Sequence, residues 1–165
     1  PTQSSLAFDK GFFLKTSDVV ADKDALFFSN NQNQFFSLDI QTGNLNWKQE
    51  INSNLRPVII NDFIFTISLE GYLIIIEKNT GNIIRSNYLL NKFKAKNRLK
   101  IKPTGFIVGN KNIYLSSNIG RLLVIDIATG KTKTILKIDN KKISRPAIFN
   151  KNLYLITDNS IIKLN

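Results

Sequence analysis

Cysteine, histidine and methionine are all absent from this chain of 165 residues. Without cysteine there is no disulfide framework and no thiolate metal site. Without histidine, the commonest general base and the commonest metal ligand are both missing. Those two absences exclude much enzyme chemistry. Long apolar runs are lacking too: the longest, such as "YLIIIE" from Tyr72, are strand-sized and far short of a membrane-spanning helix. No segment shows sustained helical periodicity with caps at both ends. Gly81 and Gly130 stand alone, so no glycine-rich phosphate loop is present.

What remains is a globular composition, 42% hydrophobic and 21% charged, in a length that suits one domain. The net charge of +11 points toward nucleic acid or an anionic membrane. That pointer is discounted here, because Asn, Ile and Lys are abundant throughout, as drift toward AT-rich codons would make them. The opening "PTQSSLAFDK" has neither a charged n-region nor an apolar h-region. It reads as a stretch entered mid-protein, with any signal and lipid anchor expected in a missing N-terminal part.

The chain repeats itself. "SLDIQTGNLNW" (Ser37 to Trp47), "IIEKNTGNIIR" (Ile75 to Arg85) and "VIDIATGKTKT" (Val124 to Thr134) share an acidic residue, two variable positions and Thr-Gly. Gly43, Gly81 and Gly130 are spaced 38 and 49 residues apart. Ten residues upstream of each lie Asn33, Gly71 and Gly120, with Asn159 at the matching point of a fourth unit, all residues that tolerate a tight turn. Pro57, Pro103 and Pro146 are read as one repeat position, each opening a strand-like run where a missing N–H does no harm. Each unit therefore reads as four short antiparallel strands, and the fold class is all-β. Units of about 40 residues with this content predict β-propeller blades, which bury both faces only by stacking. The expected blades cover approximately 16–53, 54–90, 102–139 and 143–165, with a basic insertion at 91–102. That is about four blades, half of an eight-bladed ring, with Gly11 to Lys15 as a fourth strand of a preceding blade.

On those residues the chain resembles the quinoprotein-type (PQQ-like) propeller repeat, whose docking motif has the form A-x-D-x-x-T-G-x-x-x-W. Asp39, Thr42, Gly43 and Trp47 match it, with Ser37 in the alanine place. Glu77, Thr80 and Gly81 match in the second unit, where Arg85 replaces the tryptophan; Asp126, Thr129 and Gly130 match in the third, where Thr134 does. The resemblance implies that the tryptophan plugs between blades, so the other two contacts are expected to pack differently. Within this group the chain is most similar to BamB-like proteins, C-terminal half. That implies a non-catalytic, protein-binding scaffold in the periplasm, at the inner face of the bacterial outer membrane, assisting β-barrel assembly. The implied partner is a periplasmic domain of the barrel-assembly machinery, with no cofactor and no nucleic acid. A homodimer completing an eight-bladed ring is a further expectation. Two other readings stay open: a fragment or remnant of a PQQ-dependent quinoprotein oxidoreductase, and a polyanion-binding propeller.

Two sets of residues are candidates for contact. Asp39, Glu77 and Asp126 are explained by the turns and are not taken as metal ligands. Leu55 and Arg56, with Lys142 and Arg145, fall in the loops between blades, a common docking face, where an exposed Leu-Arg pair makes an anchor. In the insertion, Lys92, Lys94, Lys96, Arg98, Lys100 and Lys102 occupy every second position. An extended backbone there lines all six charges on one edge, with Phe93, Ala95, Leu99 and Ile101 on the other.

Overall fold

The computed structural model describes residues 14–164. Its strands form four antiparallel sheets, each a meander in chain order. The first holds β1 (Val20–Asp22), β2 (Ala25–Asn30), β3 (Gln34–Asp39) and β4 (Leu45–Gln49). The second holds β5 (Val58–Ile60), β6 (Phe63–Ile67), β7 (Tyr72–Glu77) and β8 (Ile83–Tyr88). The third holds β9 (Pro103–Val108), β10 (Asn112–Ser117), β11 (Arg121–Asp126) and β12 (Thr132–Lys137). The fourth has three strands, β13 (Ala147–Phe149), β14 (Asn152–Ile156) and β15 (Ile161–Leu164). The chain is a β-propeller array of four blades.

Alternation along each strand explains why the blades stack. In the second blade Ile64, Ile74 and Ile76 pack back against Phe27 and Phe35 of the first. Their neighbours Phe65, Ile67, Leu73 and Ile75 pack forward against Ile113, Leu115, Leu123 and Ile125 of the third. Leu122 of the third blade then meets Leu153 and Leu155 of the fourth. A continuous apolar run such as Leu73 to Ile76 is thus two cores read alternately. Each fully buried side chain of this kind contributes about 1.5–3 kcal/mol, and no blade gains it alone.

Every complete blade carries a register slip between its third and fourth strands: at Ser37/Leu38, Ile75/Ile76 and Val124/Ile125. These bulges fall at one repeat position, just before the turn acid, and sharpen the local twist.

Two details of the repeat differ from the sequence reading. Pro57 and Pro146 each precede a three-residue innermost strand, but Pro103 opens a six-residue one. In the third blade Ile107 is the residue that pairs as Val58 and Ala147 do, so Pro103 lies three residues further out, beyond a bulge at Ser116/Ser117. At the second turn, Asn33, Gly71 and Gly120 take positive φ (63°, 93° and 69°), whereas Asn159 is not among the positive-φ residues. There the turn is closed by the Thr157 amide donating to Ser160 O. The strand expected over Gly11 to Lys15 falls outside the described residues except at its last two positions.

Candidate partner-binding site

The Thr-Gly turns are built from the acid inward. Asp39 Oδ1 accepts from the amides of Gln41 (3.0 Å) and Thr42 (2.7 Å) and from the Thr42 hydroxyl (2.8 Å). Asp126 Oδ1 accepts from the Thr129 amide (2.8 Å) and hydroxyl (2.9 Å), while Oδ2 meets Lys133 Nζ at 2.7 Å. Glu77, longer by a methylene, takes the Thr80 hydroxyl. The Thr42 hydroxyl bonds hold the Asp39 carboxyl below its ordinary range, and the Lys133 bond brings Asp126 down to about 2. These carboxylates are committed to their turns.

The turns are also where blades join. Trp47 donates its indole N–H to Lys78 O (2.9 Å), stacks 5.9 Å from Phe35, and lies on Gly81. A Cβ at Gly81 would stand 2.6 Å from the indole, so glycine is required twice: by φ +77° and by the ring. One blade on, Arg85 occupies the tryptophan place and donates to Ile127 O (3.3 Å) and Ala128 O (2.7 Å). Ile127 is the repeat equivalent of Lys78, so the arginine reaches the same carbonyl. Thr134, at the third such position, is exposed.

At the inner ends of the blades a cleft of about 970 Å³ opens between β1 and β5, lined among others by Lys23, Arg56, Lys78 and Arg145. Arg145 is half-buried; its Nε donates to Phe106 O (3.0 Å) and its Cβ covers Gly105. Burial, and then the facing Arg56, lower its pKa, against the pull of Asp18. Asp18, Arg56 and Arg145 hold one repeat position, two residues before Val20, Val58 and Ala147. Lys78 is satisfied: its buried ammonium pairs with Asp22 and donates to Asn61 O. Arg56 is exposed and makes no hydrogen bond or ion pair with the described residues.

The family model described as outer membrane protein assembly factor BamB matches residues 11–87. The crystal structure of BamB from Moraxella catarrhalis superposes with a TM-score of 0.70 at 14% identity, over 89% of this chain and 42% of that one. The chain is a PQQ-like β-propeller resembling BamB. It spans less than half the length of that BamB structure. Two computationally designed proteins share the fold as well. Ika4 has a TM-score of 0.70 at 12% identity, over 94% of this chain and 93% of its own. Ika8 has 0.67 at 13%, over 93% and 46%. A crystallised chain of this length therefore carries the same fold.

Within this BamB-like frame the expected contact residues separate. Leu55 is not an exposed anchor: it is 8% accessible and packs in the core between the second and third blades. Its amide is held by Ser53 Oγ, which turns the side chain inward. Arg56 and Arg145 are brought to one cleft, whereas Lys142 is exposed and is not among its lining residues. The basic insertion is not extended either. It folds into a 3-10 turn, Leu90–Lys92, and a single helical turn, Ala95–Arg98, so the alternation of charges onto one edge is lost. Lys92 Nζ donates to Lys133 O, and Arg98 turns back onto Phe93 O and Asn91 O (both 2.9 Å). Lys94, Lys96, Lys100 and Lys102 remain exposed.

Sequence reasoning missed Arg85 as a working substitute for the docking tryptophan, although it named the position. It also missed Asp18 and the Asp22–Lys78 pair. Extending the repeat register back into the first blade would have found Asp18, which stands where Arg56 and Arg145 stand.

Proposed function

We propose that this chain is a non-catalytic, protein-binding scaffold of the BamB kind. It works in the periplasm at the inner face of the outer membrane and holds a periplasmic domain of the β-barrel assembly machinery. The observation that carries the reading is the pair Arg56 and Arg145, presented from two blades to one open cleft with Arg56 unpaired. The motif carboxylates, by contrast, are consumed by turns. A rigid cleft edged by two guanidiniums suits acidic and amide groups of a folded partner. The likeness to BamB supports this choice of partner.

The test is calorimetric titration of the chain with the isolated periplasmic domains of a barrel-assembly protein, at moderate salt. Binding that is weakened more than tenfold by Arg56→Glu and Arg145→Glu, and little by Lys142→Glu, is expected. A folded chain that binds none of these domains overturns the proposal.

A second reading concerns assembly. The forward face of the fourth blade is bare: Phe149 is 67% and Ile161 72% exposed, beside Ile156. The backward face of the first blade carries Leu26, Phe28, Phe36 and Leu38, the register positions of Ile64, Thr66, Ile74 and Ile76. Two copies joined head to tail cover both faces and complete an eight-bladed ring. Light scattering across concentrations is expected to report a dimer, abolished by Ile156→Asp with Ile161→Asp. A monomer at all concentrations overturns it.

A further inference from the structure

The charge of this molecule is not spread evenly. Residues 78–125 contain ten Lys and Arg and no Asp or Glu, which leaves 13 basic and 12 acidic residues for all the rest. Codon drift acts along a whole chain, so it does not account for a +10 stretch beside a nearly neutral remainder. The densest part of the stretch is the 91–102 insertion, which the blade repeat does not require.

The insertion is held in shape from several sides. Phe93 packs against the core between the second and third blades, and Ile101 is buried in it. Arg98 is spent internally, on two carbonyls and on the face of Tyr88, 5.9 Å from the ring. Asn118, in the turn after β10, clamps the far end: its Oδ1 accepts from the Lys102 amide (2.7 Å) and its Nδ2 donates to Lys100 O (3.0 Å). Between these anchors Leu99 is 86% exposed, the highest value of any large apolar side chain described. The ammonium groups of Lys94, Lys96, Lys100 and Lys102 make no hydrogen bond or ion pair with the described residues.

We propose that the 91–102 insertion is a contact element for an anionic lipid bilayer, with Leu99 entering the interface and Lys94, Lys96 and Lys100 meeting the headgroups. An interface uses both halves of the feature: it takes apolar area from a leucine held outward and attracts unpaired lysines electrostatically. A nucleic acid uses the lysines and leaves Leu99 in water. Because Phe93, Ile101 and Asn118 fix the loop beforehand, little conformational entropy is lost on contact. The inference stands apart from the scaffold reading, since it involves neither Arg56 nor Arg145.

The test is flotation of the whole chain with phosphatidylcholine vesicles, with and without phosphatidylglycerol. Binding is expected only when the anionic lipid is present, and it should fall with salt. Each lysine contributes about fivefold to partitioning, so Lys94→Gln, Lys96→Gln and Lys100→Gln together are expected to weaken it about a hundredfold. Leu99→Gln, which alters no charge, is expected to weaken vesicle binding at least tenfold while leaving heparin binding unchanged. All four positions are exposed, and unchanged melting curves confirm intact folds. Equal binding to neutral vesicles, or none to either kind, overturns the proposal. So does indifference to Leu99→Gln, which marks a polyanion site, and so does displacement by glycerol phosphate, which marks a headgroup pocket.

Discussion

The joint between the first and second blades and the joint between the second and third use the same backbone with different side chains. In the first, Trp47 fills the space against Phe35 and Phe27, and its N–H satisfies Lys78 O. Gln49 donates to Gly81 O, and the Lys78 side chain pairs with Asp22 across the joint. In the second, Arg85 reaches the equivalent carbonyl but leaves an open, largely apolar groove of about 240 Å³ beside Phe63, Phe65, Ile75, Ile84 and Ile127. Asn87, one methylene shorter than Gln49, lies against Gly130 with its buried Oδ1 lacking a partner among the described residues. The docking hydrogen bond survives the loss of tryptophan; the packing does not. The two joints thus share one docking carbonyl and differ in what fills the space around it.

The largest difference is expected from truncating the two docking residues. Trp47→Ala empties a stacked, hydrogen-bonded ring and is expected to cost about 3 kcal/mol. Arg85→Ala removes two hydrogen bonds from partly solvated carbonyls and is expected to cost about 1 kcal/mol. Urea unfolding of both variants measures the contrast. Equal losses would mean that the joints are equivalent despite their packing.

Next in size come the motif glycines. Gly43 and Gly81 share nearly the same φ (72° and 77°), but a Cβ at Gly43 meets nothing within 4 Å. Gly43→Ala is therefore expected to cost about 1 kcal/mol of left-handed strain alone. Gly81→Ala must also displace the indole and is expected to cost about 2 kcal/mol or more. Combined with Trp47→Ala, that excess should vanish, because the clash has no second party. A persistent excess would place the strain in the turn and not in the joint.

How far the sequence reveals this architecture follows from the physics of each feature. The turns and their order were legible because positive φ and the acid-x-x-Thr-Gly geometry admit few residue types, as Gly43, Gly81 and Gly130 show. The blades' two buried faces were legible in runs such as Leu73 to Ile76. The 91–102 insertion was misread as extended because a period of two in lysine says only where charges lie along the chain. Its shape is set by distant partners, Asn118 and the core around Phe93 and Ile101, which local pattern does not contain. Leu55 was misread for a similar reason: the Ser53 hydroxyl and the second core turn it inward. Arg56 and Arg145 were named, but their shared cleft is a product of blade stacking, invisible in one dimension.

A smaller effect, and of opposite sign, is expected from rebuilding the second joint in the image of the first. Arg85→Trp has a place to go: the groove beside Phe65 and Ile75 lies at the positions that Phe27 and Ser37 hold around Trp47. The introduced indole can donate to Ile127 O and lie over Gly130. A gain of about 1 kcal/mol is expected from the apolar surface that the indole covers. A loss would show that Asn87, whose oxygen stands against Gly130, blocks the ring; Arg85→Trp with Asn87→Gln then tests whether a Gln49-like partner restores the gain.

The smallest effect separates the turns beside these joints by pH. Asp126 is held at about 2, first by Lys133 and then by Thr129; Asp39 is lowered by Thr42 and Gln41 without a salt bridge. Both folded values lie below the ordinary 3.8. Their contribution to stability is therefore complete above that value and is lost as pH falls through the folded pKa. Asp126→Asn is expected to lower the urea midpoint at neutral pH, and the gap from wild type should close between about pH 4 and about pH 2. Because Lys133 is exposed, added salt should shrink the Asp126→Asn gap more than the Asp39→Asn gap. A gap that ignores both pH and salt would mean that the Asp126 turn holds by its neutral hydrogen bonds alone, and that the two turns are alike where the joints beside them are not.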